Sequence, residues 1–121
     1  MSLRTFTTAY IEAIYFTDGS DAADEWSLET PLAFETLRTI VRGCKAFYDA
    51  HGHLFTDDNC LYAGCSPDEY AGHDFWLTRN GHGCGFWDGD WTEPAAEILT
   101  KAAEHSEQWT YLGDDGKGYL S

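Results

Sequence analysis

Imidazoles and thiols gather in the middle of this chain: His51, His53, Cys60, Cys65, His73, His82 and Cys84. Zinc is the chemistry such groups would do, yet the spacing lacks a Cys-x2-Cys pair or a helical His-x3-His pair. No metal or other cofactor is therefore expected. Cys60 and Cys65 are the alternative metal pair, and they are also close enough in sequence to form a bridge. Cys44 and Cys84 fall at apolar positions, where a thiol acts as a small hydrophobe. Acid/base chemistry is the other prospect. His73 and His82, with Asp88, Asp74 and Asp90 close in sequence, could tune an imidazole for proton transfer. No Gly-x-Ser-x-Gly, His-Glu-x-x-His or Walker-type loop supplies a nucleophile or metal beside them. A small enzyme or metal-binding protein centred on His73, His82 and Asp88 is thus the alternative reading rather than the first.

Binding chemistry has more to work with. Trp76 and Trp87, with Trp91 beyond, could present flat indole surface to a partner, and Trp is enriched at binding hot spots. Acids outnumber bases by 21 to 7 in 121 residues, a net charge of −14. The densest stretch holds Asp18, Asp21, Asp24, Glu25 and Glu29 with no base among them, and Asp88 and Asp90 lie in a second base-free stretch. Direct nucleic-acid binding is disfavoured, because it requires Lys and Arg to neutralise phosphates. Anionic membrane surfaces are disfavoured for the same reason. A compact acidic domain can instead imitate a run of phosphates and occupy a basic nucleic-acid-binding protein.

These groups need elements to position them. The length suits one domain spanning residues 1–121, and 16% aromatic content argues for a packed core. Apolar residues recur at helical spacing over 7–16. Thr30 as cap, Pro31 at the first position and a stripe of Leu37, Ile40, Val41, Cys44, Phe47 and Tyr48 predict a helix over 31–50. Its other side carries Arg38, Arg42 and Lys45, expected to be a solvated face. Ser66-Pro67-Asp68-Glu69 is a capping box and predicts one helical turn ending at Gly72. Asn80-Gly81 then predicts a tight hairpin between 73–79 and 82–88, pairing His73 with Asp88 and Phe75 with Phe86, and setting Trp76 and Trp87 on the opposite face. A further helix over 92–106, with a Glu97/Lys101 pair, and a C-terminal hairpin of 109–112 and 117–120 complete the order. The expected architecture is α+β: an antiparallel sheet, made of the central Asn-Gly hairpin and the C-terminal hairpin, packed against about three helices. No stretch is apolar enough to span a membrane and no signal-peptide core is present, so the expected location is the cytoplasm, with the cysteines as thiols.

The stretch His73-Asp74-Phe75-Trp76-Leu77-Thr78-Arg79-Asn80-Gly81-His82-Gly83-Cys84-Gly85-Phe86-Trp87-Asp88 resembles a motif of small, functionally uncharacterised proteins of bacteriophages and other bacterial mobile elements. Gly113-Asp114-Asp115-Gly116 looks like the end of the same pattern, so the resemblance spans about residues 72 to 118. That group tends to carry Ala where this chain has Cys84, which speaks against zinc at that thiol. The resemblance implies provenance rather than activity: an accessory protein acting inside a bacterial cell. With the charge, it leads to an expected role in binding and modulating a host or phage protein, including a nucleic-acid-binding or defence protein. Trp76 and Trp87 would be anchors. Asp88, Asp90 and the acidic run from Asp18 to Glu29 would be the electrostatic part.

Overall fold

Phe6, Ala9, Tyr10, Ala13 and Ile14 are all buried and recur every three or four residues, the signature of a helix with one face in the core. They form α1 (Leu3–Asp18). Ser2 opens it, accepting the Thr5 N–H on its hydroxyl at 3.0 Å. The computed structural model describes residues 2–18, 29–81, 84–104, 106–108 and 110–120, with the side chain of Asp18 left aside.

Helix α2 (Phe34–His51) buries Thr36, Ile40, Cys44 and Phe47. Leu37 and Val41, expected in the same stripe, are exposed beside Phe34. The helix also begins later than Thr30 and Pro31 suggested. Ala33 is its N-cap, with extended backbone and no side-chain cap. Residues 31–33 are held extended by the C-terminal hairpin instead: Gly118 N–H donates to Pro31 O at 2.8 Å and Ala33 N–H to Gly118 O at 3.2 Å. These backbone bonds satisfy groups that a longer helix would have left without partners at its end.

The central hairpin is not formed. Residues 73–79 belong to helix α3 (Pro67–Arg79), so the expected pairing with 82–88 does not exist. The capping box starts this helix as predicted, with Ser66 Oγ accepting the Glu69 N–H at 3.2 Å. Gly72, expected to end it, is buried in its interior where α1 crosses. A Cβ at Gly72 would clash with the Phe6 carbonyl oxygen and lie 2.8 Å from Ala9 Cβ. Asn80 and Gly81 end a helix rather than turn a hairpin. Asn80 Nδ2 donates to Trp76 O at 3.0 Å, and Gly81 takes φ +68°, the left-handed conformation common just past a helix end.

Helix α4 (Ala95–Ala103) is shorter than the expected 92–106 and carries the Glu97/Lys101 pair at 2.9 Å. Strands β1 (Thr110–Leu112) and β2 (Gly118–Leu120) pair antiparallel, Tyr111 opposite Tyr119, close to the expected limits. Trp109 lies outside the described residues. Four α-helices and this one small hairpin make up the regular structure of the described residues, apart from a single 3-10 turn at Gly52–Leu54. The protein is mostly helical rather than an α+β layer. No helix among the described residues is long and apolar enough to cross a membrane.

A stack of aromatic rings joins the elements. Phe47 of α2 lies 4.0 Å, centroid to centroid, from Phe75 of α3, and Phe6 of α1 lies 5.3 Å from Phe55. Phe86 and Trp91 close the stack from the segment after α3, 5.5 Å apart. Phe75 and Phe86 thus share one core, but across Phe47 rather than across a hairpin. Each buried ring contributes about 1.5–3 kcal/mol through area removed from water.

Candidate functional site

Among the described residues, helices α1 and α3 share the most extensive helix pair interface. Along its outer edge the returning segment 84–90 leaves a cleft of about 560 Å³. Glu12 and Phe16 line it from α1, Glu69, His73 and Asp74 from α3, and Cys84 and Asp88 from the returning segment. Four of its lining side chains carry carboxyl groups, and among the described residues no Lys or Arg lines it. Phe16 stands at the edge, 89% exposed.

The returning segment is fastened to α3 from below. Thr78 Oγ1 accepts the Phe86 N–H at 3.0 Å, inside the core. Gly85 passes so close to Thr78 that a Cβ there would clash with its hydroxyl. Asp88 folds back on the same segment and accepts the Gly85 N–H at 3.2 Å. The segment ends against residues 59–61, where Leu61 N–H donates to Asp90 O at 2.7 Å and Thr92 N–H to Asn59 O at 2.8 Å.

Electrostatics at the cleft floor are unusual for so acidic a surface. Asp74 is buried, and burial pushes its carboxyl up to about 7. Trp91 works against this by donating its indole N–H to Asp74 Oδ2 at 2.7 Å, while Asp88 and Asp90 add to the rise. Tyr70 donates its hydroxyl to Asp90 in a very short hydrogen bond. Burial first, and that bond next, hold the Tyr70 phenol protonated well above its ordinary range. Desolvation, with Asp88 and Asp74, raises the Cys84 thiol as well, so this exposed cysteine is not an activated nucleophile. His73 Nε2 lies 3.6 Å from Glu12 Oε1 across the helix pair.

The residues singled out from sequence are distributed unevenly. His73 and Asp88 do come to one place, both lining the cleft, although not as a cross-strand pair. Asp90 stands just behind, on Tyr70. His82, Asp21, Asp24 and Glu25 lie outside the described residues, as does the Asp18 side chain, while Glu29 is exposed. The tryptophan platform is not there. Trp76 is 0% exposed, donating its indole N–H to Thr17 Oγ1 at 2.9 Å and meeting Tyr10 edge-on. Trp91 is buried on Asp74. Trp87 alone of the three is open, at 53%, over a shallow groove with Glu93, Glu97 and Lys101. A helix turns Trp76 inward because residues 71–78 are nearly all covered, so a period-two face does not apply. Cys60 is buried and Cys65 half-buried, both free thiols rather than a bridge.

Glu12 and Glu69 were not marked by sequence reasoning. Glu69 and His73 are four apart and share a helix face only if the helix continues past Gly72. Glu12 joins them through a tertiary crossing that no local spacing encodes. No family model, curated protein or solved structure matches the chain.

Proposed function

We propose that this is a small acidic accessory protein of phage or mobile-element type that acts in the bacterial cytoplasm by binding a basic protein, with the α1–α3 cleft as its working surface. The observation that carries the reading is the lining of that cleft: the carboxylates of Glu12, Glu69 and Asp88 over the buried Asp74 carboxyl, no Lys or Arg among the described residues, and an exposed Phe16 at the edge. An arginine or lysine segment of a partner fits such a surface, with its aliphatic stems against Phe16 and its charged heads on the acids. A nucleic-acid-binding protein, whose own surface is built to meet phosphates, is the partner class this suits best. Trp87 is exposed and can add an outlying contact, whereas Trp76 serves the core.

Charge placement supports the same reading. Arg38, Arg42 and Lys45 stand on the exposed face of α2, with Lys45 already on Asp49 at 2.6 Å and Arg38 over the Phe34 ring. These three bases stand on a different element from the cleft, whereas Arg79 of α3 is turned onto the Tyr10 hydroxyl and Arg4 of α1 lines an adjoining groove. Calorimetric titration with an arginine-rich peptide tests the proposal. Binding should weaken more than tenfold between 50 and 300 mM salt, several-fold on Asp88→Asn or Phe16→Ser, and not on Arg42→Ala. Binding that ignores salt and both cleft variants would overturn it.

A further inference from the structure

The geometry points to Glu12, Glu69 and His73 as a binding site for a divalent ion of the zinc class, at the mouth of the α1–α3 cleft. One ligand atom from each of these three side chains lies within 4.8 Å of the other two. The imidazole separates this group from an ordinary acidic surface. Carboxylates alone would suit calcium or magnesium with several waters, whereas nitrogen beside oxygen favours zinc and its neighbours in the first transition row. Two carboxyl groups and one imidazole nitrogen make a mixed oxygen and nitrogen ligand set of the kind zinc takes.

The scaffold is fixed where such a site needs it to be. Glu69 and His73 stand one helical turn apart on α3, and Glu12 faces them from α1. The two helices cannot slide, because Gly72 seats directly on the Phe6 carbonyl and Ala9, with Phe6, Tyr10 and Ala71 buried around it. Zinc bonds of about 2.0–2.2 Å to these ligands bring the ligand atoms closer together than they now stand. Rotation of the two glutamate side chains supplies that movement, since Glu12 is exposed and Glu69 and His73 are half-buried. All three residues border the cleft. Three protein ligands there leave a fourth position for water or for a group on an incoming partner, the arrangement of an open rather than a closed site. Arg4 lines an adjoining groove that shares Glu12 and Glu69.

This inference does not depend on the identity of a protein partner, and its test is separate. Zinc is titrated into the metal-stripped full chain, with cobalt as the spectroscopic probe and a fivefold excess of magnesium as competitor. One equivalent should bind at micromolar concentration and raise the melting temperature, and magnesium should not displace it. His73→Ala and Glu12→Gln should each weaken binding at least tenfold, while Cys65→Ser and Asp88→Asn leave it unchanged. Both sites of substitution are partly open to solvent, and melting in EDTA verifies that each variant folds. NMR of the His73 ring gives a second readout, since zinc should shift its Nε2 resonance in the wild type. Zinc binding that survives His73→Ala, that is lost with Cys65→Ser, or that is absent at 1 mM zinc would each overturn the assignment.

Discussion

Two glycine-to-alanine substitutions in helices should have opposite signs. At Gly43 in α2, a new Cβ would meet nothing within 4 Å. Gly43→Ala should therefore stabilise the protein by the helix propensity alone, about 0.5–1 kcal/mol. Gly72→Ala receives the same propensity gain, but its methyl has no room. The new Cβ would strike the Phe6 carbonyl oxygen, lie 2.8 Å from Ala9 Cβ and 3.1 Å from Tyr10 N. Those atoms are backbone or a methyl on a helix, so relief requires α1 and α3 to move apart. Overpacking of this kind costs about 1–3 kcal/mol and occasionally more. Separation also loosens the fully buried Phe6, Tyr10 and Trp76, which places Gly72→Ala towards the upper end. After the propensity gain is subtracted, a net loss of about 1–2.5 kcal/mol is expected, or several degrees in melting temperature for a domain of this size. Urea unfolding followed by tryptophan fluorescence and circular dichroism gives both values. A Gly72→Ala variant as stable as Gly43→Ala would refute the close crossing of α1 and α3, and with it the placement of Glu12 against Glu69 and His73.

Two further expectations concern titration and thiols. Asp74 has an ordinary value of 3.8 and about 7 in the fold. The folded state therefore binds the proton more tightly than the unfolded chain, and stability falls as pH rises from about 4 to about 7, then levels off. That span corresponds to about 4 kcal/mol at most. Asp74→Asn, whose amide oxygen can still accept the Trp91 N–H, should be more stable than the wild type at pH 8 and show no advantage at pH 4. An equal stability difference at both pH values in urea titrations would refute the buried, protonated carboxyl. Among the cysteines, Cys84 should react first with a thiol reagent at pH 8 and Cys65 more slowly, while Cys44 and Cys60 should react only on unfolding. Burial pushes the Cys44 thiol up to about 12, so it stays inert even where reagent can reach it. Fast labelling of Cys44 in mass spectrometry would contradict the core packing.

The elements that rest on strong local chemistry were legible in the sequence. Ser66-Pro67-Asp68-Glu69 marks a helix start wherever it sits, and Gly113-Asp114-Asp115-Gly116 turns the C-terminal hairpin through Gly116 at φ +77°. Helix α2 showed itself by Ile40, Cys44 and Phe47, although Leu37 and Val41 ride on its exposed side. The segment after Gly72 was misread for two physical reasons. Asn-Gly supplies a left-handed glycine, which serves a hairpin turn and a helix end equally well. Helix α3 is covered on several sides, so Ala71, Asp74, Phe75, Trp76 and Thr78 are all buried and no single amphipathic stripe remains to announce a helix. Gly72 looked like a stop because its role, contact with α1, is tertiary. The candidate site was half legible for the same reason. His73 and Asp88 drew notice by residue type and do meet at the cleft, yet Glu12 and Glu69 join them only through the α1–α3 crossing.

Amide NMR mapping of an arginine-rich peptide at low salt shows whether the acidic cleft between α1, α3 and residues 84–90 is the surface that takes up a basic partner. Shifts should centre on Glu12, Phe16, His73, Cys84 and Asp88 and fade at 300 mM salt. Shifts centred instead on Trp87 and α4, or on the exposed face of α2, would contradict it, as would shifts that persist unchanged at high salt.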